Sequence, residues 1–104
     1  MKRKAVFHRI FVLSLVLLAA GVAQAGDPQR GRQIYIDRCS GCHGLEGTPT
    51  MSAVPAFSRG ERIMKPNHEL LAFIKRGKGV MPGFEGMLTD NEILDTIAYI
   101  RTLF

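Results

Sequence analysis

The last sixteen residues of the chain, TDNEILDTIAYIRTLF, place apolar side chains at helical spacing. Ile93, Ile97 and Ile100 lie three or four positions apart, so they share one face of a helix. Thr89 and Glu92 stand at the two positions of a capping box, in which each side chain accepts a hydrogen bond from the other residue's backbone N–H. The pattern predicts a C-terminal helix that begins after Thr89.

Two further stretches predict helices upstream. The first runs from about residue 28 to residue 38, with Asp27 as its N-cap. The second is NHELLAFIKRG, in which Asn67 caps the start and Gly77 stops the helix. Gly31 costs about 1 kcal/mol inside a helix relative to alanine, which favours close packing against another backbone.

The segment at residues 44–66 has the composition of an extended loop with a short helical turn. Its turn-forming residues are Pro49, Pro55, Pro66, Gly47 and Gly60. A loop of about 20 residues is unusual in a compact domain unless it wraps around something. Because no stretch after residue 25 alternates convincingly as a strand does, the predicted fold class is all-α.

The N-terminal residues have the pattern of a secretory signal peptide. An apolar run from Ile10 to Ala23, with Ser14 as its only polar side chain, follows a basic start. The run leads into Ala-Gln-Ala, with small residues at both positions that determine cleavage. A bilayer needs about 20 apolar residues, so an uncleaved membrane anchor is the less favoured alternative. We expect cleavage after Ala25 and a single domain at residues 26–104.

Removal of the signal peptide changes what the charge indicates. The chain has 14 basic and 9 acidic residues, a formal net charge of +5. Four of the basic residues and none of the acidic ones lie in residues 1–25, which leaves 10 against 9, or +1. A nearly neutral domain gives no indication of nucleic-acid binding. Six basic residues still concentrate between Arg59 and Lys78.

The domain that remains is small for a self-sufficient core. It has no tryptophan, and the full chain has two tyrosines and six phenylalanines. Domains of this size often need a disulfide, a metal or another covalent staple. A large apolar cofactor would help to fill such a core.

Residues 39–44 read CSGCHG and contain both cysteines of the chain. Export would place Cys39 and Cys42 in an oxidising compartment, where disulfides form. A thioredoxin-like pair, however, needs a βαβ setting that the pattern does not predict. A zinc site usually needs four ligands, and the adjacent Cys42 and His43 are awkwardly placed to bind one tetrahedral ion.

The third interpretation of this motif uses all three of its reactive side chains. C-x-x-C-H is the attachment signal for a c-type haem. On a helix, Cys39, Cys42 and His43 face the same side, so both thiols could form thioethers to one porphyrin and the imidazole could bind its iron. The motif therefore favours one covalently attached haem over a disulfide or zinc.

Together with this motif, two other segments resemble the class I cytochromes c that carry one haem. GRQIY before CSGCHG is similar to the N-terminal helix of that family, and IAYIRTL is similar to its last helix. Gly31 and Tyr35 match the positions at which these two helices pack. The resemblance implies a fold of three or more helices wrapped around the haem. It also implies that the protein transfers electrons and is not an enzyme. Together with the signal peptide, the resemblance implies a bacterial periplasmic location.

The sixth iron ligand decides between a carrier and a haem enzyme or gas-binding protein with an open site. Met81 lies in GKGVMPGF, and the family's axial methionine typically lies in such a loop before a proline. The resemblance therefore assigns Met81 as the sixth ligand. Met87 is the alternative ligand, whereas Met51 and Met64 are assigned to packing and to the pocket lining. His68 is expected to be a solvated surface residue.

Two further roles follow from the resemblance. A proline about twelve residues after the axial histidine accepts a hydrogen bond from it in the family, which assigns Pro55, with Pro49 as the alternative. Candidates for holding the haem propionates are Arg59, Arg62 and Lys65, although each could equally be a solvated charge.

The expected partners are other redox proteins, namely an oxidase, a reductase or a dehydrogenase. Basic residues between Arg59 and Lys78 could dock an acidic partner, or could be a solvated face. The segment GVMPGFEGMLTDNEILDTIAYIRTL is also similar to the small cytochromes of denitrification. That similarity suggests, as an alternative, an accessory role as donor to nitrite reductase or in its maturation.

Overall fold

A computed structural model describes residues 26–104, and the signal peptide expected at residues 1–25 lies outside the described residues. The helices are α1 Pro28–Arg38, α2 Ser40–His43, α3 Asn67–Arg76 and α4 Asp90–Ile100, with 3₁₀ turns at Phe57–Arg59 and Arg101–Leu103. Residues 26–104 contain one isolated antiparallel β-bridge, between Lys78 and Met81. The prediction of an all-α fold is confirmed. None of the helices described is long and apolar enough to cross a membrane.

The helix starts follow local capping chemistry. The Asp27 side chain accepts hydrogen bonds from the backbone N–H groups of Gln29 and Arg30, as an N-cap does. The Thr89 hydroxyl accepts from the Glu92 N–H at 3.2 Å, and the Glu92 carboxylate accepts from the Thr89 N–H at 3.1 Å. The predicted caps of α1 and α4, including the capping box of α4, are confirmed.

The predicted cap of α3 is wrong by one residue. Pro66, with an extended ψ of 151°, holds the cap position, and Asn67 is already helical. The Asn67 amide oxygen instead accepts a hydrogen bond from the Arg101 guanidinium at 2.8 Å. The side chain is therefore used for a tertiary contact to the C-terminal turn and not for capping.

Helices α1 and α4 make the central contact of the fold. A Cβ atom at Gly31 would clash with the backbone carbonyl of Asp95, so glycine is required where the two backbones meet. The buried Asp95 carboxylate accepts the Asp27 N–H at 2.7 Å and lies 3.3 Å from the Arg30 guanidinium. The terminal helices are thus joined by close backbone packing and by a buried polar contact.

The apolar core consists of two clusters that α4 connects. The first cluster is Tyr35, Phe57, Ile63 and Ile100, with Cys39, Tyr99 and Leu103 packed against it. The second cluster is Phe84, Ile93 and Ile97, with Leu70, Leu71, Ile74, Met81, Leu88 and Leu94 packed against it. Residues near the end of α4 support the CSGCHG motif, and residues near its start support the loop of Met81.

We expect Gly31→Ala to destabilise the fold by about 1–3 kcal/mol, because the added methyl group must displace the α4 backbone. Denaturant unfolding followed by circular dichroism measures this loss. Gly41→Ala is the matched control, since Gly41 lies in the helical turn α2 and a Cβ there meets nothing within 4 Å. Equal stability of the two variants would show that α1 and α4 do not depend on this contact.

Candidate haem site

The CSGCHG motif begins where α1 ends. The Cys39 N–H donates to the Tyr35 carbonyl at 2.9 Å, and the His43 N–H donates to the Cys39 carbonyl at 3.0 Å. These bonds continue the chain from α1 into the single helical turn α2. Cys39 is half-buried against the first cluster, Cys42 is exposed and His43 is buried. The structure therefore brings the three predicted side chains together on one turn.

Cys39 does not have the character of a reactive redox thiol. Burial raises the pKa of Cys39 to about 11, so this group stays a protonated thiol at neutral pH. Both cysteines are free in the polypeptide. Within residues 26–104, no group of three or more histidine, cysteine or acidic side chains is placed to hold a metal ion. The donor set that remains is two thiols and one imidazole, which suits covalent haem attachment.

The His43 ring is fixed from two sides. It stacks on the Phe57 ring with a centroid distance of 4.4 Å and an interplanar angle of 11°. Burial lowers the pKa of His43, and hydrogen bonding by the Pro55 carbonyl opposes that shift. Nδ1 is sealed from solvent and has no partner of full hydrogen-bond geometry in the described structure. The carbonyl thus lies beside the ring without completing a bond, and the neutral imidazole is the form that can bind iron.

Tyr35 ties α1 to the end of the motif, a contact that the sequence did not indicate. Its side chain is fully buried and its hydroxyl donates to the Gly44 carbonyl at 2.6 Å. Its ring lies 5.3 Å from the Tyr99 ring, between centroids, and 6.3 Å from the Phe57 ring. One tyrosine therefore joins the terminal helices, the motif and the segment that covers His43.

Met81 lies in a loop that is fixed by its own backbone. Its N–H donates to the Lys78 carbonyl and its carbonyl accepts from the Lys78 N–H, both at 3.0 Å. Its half-buried side chain packs against the second cluster. The other methionines of the described chain are more exposed, at 44% for Met51, 77% for Met64 and 55% for Met87. Burial therefore distinguishes Met81 from the alternative ligands.

The loop of Met81 folds back onto the end of α3. Gly77, with φ of 70°, lies where a Cβ would come within 2.6 Å of the Met81 carbonyl oxygen. The Phe84 and Glu85 N–H groups donate to the carbonyls of Ile74 and Lys75 at 3.0 and 3.2 Å. The Lys75 ammonium also lies 2.9 Å from the Asp90 carboxylate and 3.8 Å from that of Glu85. These contacts hold the methionine loop against α3 and α4.

The predicted site residues do not all pack on the same hydrophobic cluster. Met81 packs on the second cluster, whereas the CSGCHG motif lies on the first. His68 is exposed, as expected. The propionate candidates Arg59 and Lys65 pair with the carboxylates of Glu61 and Glu69.

The described residues fit a covalently attached haem. Two thiols and a neutral imidazole share one helical turn, and the buried Nδ1 of His43 has no hydrogen-bond partner within residues 26–104, with the Pro55 carbonyl as the nearby group that could accept from it. Helix α3 carries an apolar face, but none of its residues is fully buried. Such half-buried apolar side chains are expected in the wall of a cofactor pocket.

Comparison with known proteins decides the family. The sequence model of the family described as "Cytochrome C oxidase, cbb3-type, subunit III" matches residues 26–100. The chain belongs to this family of c-type cytochromes. It is a small class I cytochrome c, and the family implies one covalently attached haem.

Several relatives of the cytochrome are similar over most of their length. Cytochrome c6 from Thermosynechococcus vestitus is 26% identical, over 96% of this chain and 91% of the relative. Cytochrome c6 from Euglena gracilis is 31% identical, over 69% of this chain and 87% of the relative. Cytochrome c from Tetrahymena pyriformis is 30% identical, over 75% of this chain and 90% of the relative.

A solved structure, "KustC0563 c-type cytochrome", is similar with a TM-score of 0.63 and 24% identity, and the match covers 70% of this chain and 95% of that one. This likeness supports the fold. The predictions of a class I cytochrome c fold and of a c-type haem are confirmed. The cytochrome is an electron carrier, as its relatives named cytochrome c and c6 indicate, and not an enzyme.

We expect Tyr35→Phe to cost the cytochrome about 1 kcal/mol at pH 7. The cost is moderate because the Gly44 carbonyl keeps a second donor, the Gly47 N–H at 3.2 Å. Burial raises the pKa of Tyr35, so the folded protein holds this proton more tightly than the unfolded chain does. The stabilisation is therefore complete below about pH 10, the unfolded value, and declines at higher pH.

Denaturant unfolding of wild type and variant across neutral and alkaline pH measures this difference. Tyr99→Phe is the control, because the Tyr99 hydroxyl makes no hydrogen bond within residues 26–104. A loss of equal size in both variants, or a Tyr35→Phe difference that does not shrink above about pH 10, would contradict the role of this hydroxyl.

Proposed function

We propose that the cytochrome is an exported carrier of single electrons in a bacterial periplasm, with the signal peptide cleaved after Ala25. Cys39 and Cys42 form the two thioethers, and His43 and Met81 are the axial ligands. The observation that carries this proposal is the packing of the half-buried Met81 against the second cluster, because the other three methionines of the described chain are exposed.

The bound haem supplies a one-electron couple, and the protein sets the ligands and surroundings of that couple. His43 is held by stacking on Phe57, and Met81 is held by its backbone pairing with Lys78. Methionine and histidine together raise the reduction potential relative to other axial pairs. His43 and Met81, each fixed by the chain, would hold the iron in both oxidation states, which would favour fast electron exchange.

Pro55 is proposed as the group that orients His43. Support comes from the pKa of His43, which burial lowers and hydrogen bonding by the Pro55 carbonyl raises. A hydrogen bond from Nδ1 to this carbonyl would fix the ring and leave the other nitrogen for iron. Pro49, the alternative from the sequence, is not among the groups that affect the His43 pKa.

The proposed partner is a redox protein with an acidic docking face. Within residues 26–104, Arg62, Arg76 and Lys78 have no acidic partner within 4.0 Å, whereas the other basic residues of this segment are paired. Unpaired charges are the ones that can steer an encounter. The family description names an oxidase, which makes an oxidase a candidate acceptor. The nitrite reductase association stays a prediction from the sequence.

A haem enzyme or gas-binding protein would need an exchangeable sixth position. The fixed and half-buried Met81 disfavours that alternative, since the contacts that hold the loop against α3 also hold the methionine.

We expect Met81→Ala to abolish the methionine–iron charge-transfer band of the ferric protein and to lower the reduction potential. Visible absorption and a redox titration measure the two effects. Met87→Ala is the control, because it removes an exposed methionine from the same region, and it should leave both properties unchanged. A band that persists in Met81→Ala, or that is lost in Met87→Ala, would overturn the ligand assignment.

A further inference from the structure

Glu61 holds the peptide unit between Pro55 and Ala56. One carboxylate oxygen, Oε2, accepts the Ala56 N–H at 2.7 Å. The other, Oε1, accepts from the Arg59 guanidinium at 2.9 and 3.2 Å. The backbone completes the ring, because the Glu61 N–H donates to the Ala56 carbonyl at 3.2 Å. The carboxylate is therefore fixed on a single backbone N–H.

That N–H belongs to the same peptide unit as the Pro55 carbonyl. The unit is planar and conjugated, so an anionic acceptor at its N–H increases the negative charge on its carbonyl oxygen. This carbonyl is the proposed acceptor for His43, and the side chain that follows the peptide unit, Phe57, stacks on the His43 ring at 4.4 Å between centroids. Glu61 thus does not contact His43. It contacts the peptide unit whose carbonyl is the proposed acceptor for His43.

The carboxylate is ionised under all ordinary conditions. The Ala56 hydrogen bond, followed by the hydrogen bond from Arg59, lowers the pKa of Glu61. The charged groups that face it are Arg59 and Arg62. The Glu61 carboxylate therefore places a negative charge beside the Ala56 N–H at neutral pH.

We propose that Glu61 is a positioning residue for the axial histidine, which acts by anchoring the Pro55–Ala56 peptide and strengthening its carbonyl as a hydrogen-bond acceptor. This inference rests on the proposed iron ligation by His43 and on the proposed hydrogen bond from its Nδ1 to the Pro55 carbonyl. A stronger acceptor at Nδ1 makes the imidazole more electron-donating, which stabilises ferric iron and lowers the reduction potential.

The test uses Glu61→Gln in the haem-loaded cytochrome. Glutamine keeps an oxygen that can accept the Ala56 N–H but removes the charge. Glu46→Gln is the matched control, since Glu46 is exposed, lies three positions from His43 and makes no hydrogen bond or ion pair in the described structure. Three properties are compared, namely the midpoint potential, the proton NMR shift of His43 Nδ1–H in the ferrous protein, and hydrogen exchange of the Ala56 amide.

We expect Glu61→Gln to favour ferrous iron by roughly threefold or more over the control, where tenfold corresponds to about 59 mV for one electron. Its Nδ1–H resonance moves upfield and its Ala56 amide exchanges faster. Arg59→Gln, which leaves the carboxylate without its cation, moves the Nδ1–H resonance downfield. If Glu61 had only a structural role, the Nδ1–H resonance would not move in opposite directions in Glu61→Gln and Arg59→Gln.

Two kinds of failure are distinguishable. If His43→Ala retains the wild-type low-spin spectrum, the proposed ligation is wrong, and the inference on Glu61 is overturned with it. If His43 binds iron but Glu61→Gln and Glu46→Gln have equal potentials and Nδ1–H shifts, the proposed function stands and the inference alone is wrong.

Discussion

Two helix backbones meet at Gly31 and Asp95, and the placement of the haem site depends on this contact. Because no side chain separates them, α1 and α4 can share one layer of core, and α4 reaches both hydrophobic clusters. The end of α1 then delivers Cys39 to the first cluster, and the start of α4 supports the methionine loop on the second. Packing of this density transmits a small displacement at the crossing to both sides of the site.

The haem site combines rigid local turns with contacts between distant parts of the chain. A single helical turn carries the three side chains of the attachment motif. Tyr35 fastens the end of that turn to α1, and Phe57 covers the histidine ring. The anionic Glu61 holds the Pro55–Ala56 peptide, which directly precedes Phe57. The histidine is therefore controlled by a segment that follows it in the sequence, although that segment has almost no regular secondary structure.

The sequence predicted the features that local chemistry determines. The spacing of Cys39, Cys42 and His43 and the capping box of α4 depend on neighbours a few residues apart, so the pattern was sufficient. The cap of α3 was misplaced because Asn67 is bound by Arg101, 34 positions away. Glu61 was not foreseen, since its contact joins a carboxylate to a backbone N–H five positions earlier across the irregular turn at Phe57–Arg59, and hydrophobic periodicity carries no signal for such a contact.

The central claim is that the chain binds one haem iron through His43 on one side and Met81 on the other. The most direct measurement is the proton NMR spectrum of the ferrous cytochrome, with the methionine methyl groups assigned individually. If Met81 binds the iron, its methyl resonance is shifted far upfield by the haem ring current, whereas those of Met51, Met64 and Met87 are not. A Met81 methyl group at an ordinary aliphatic shift would contradict the claim.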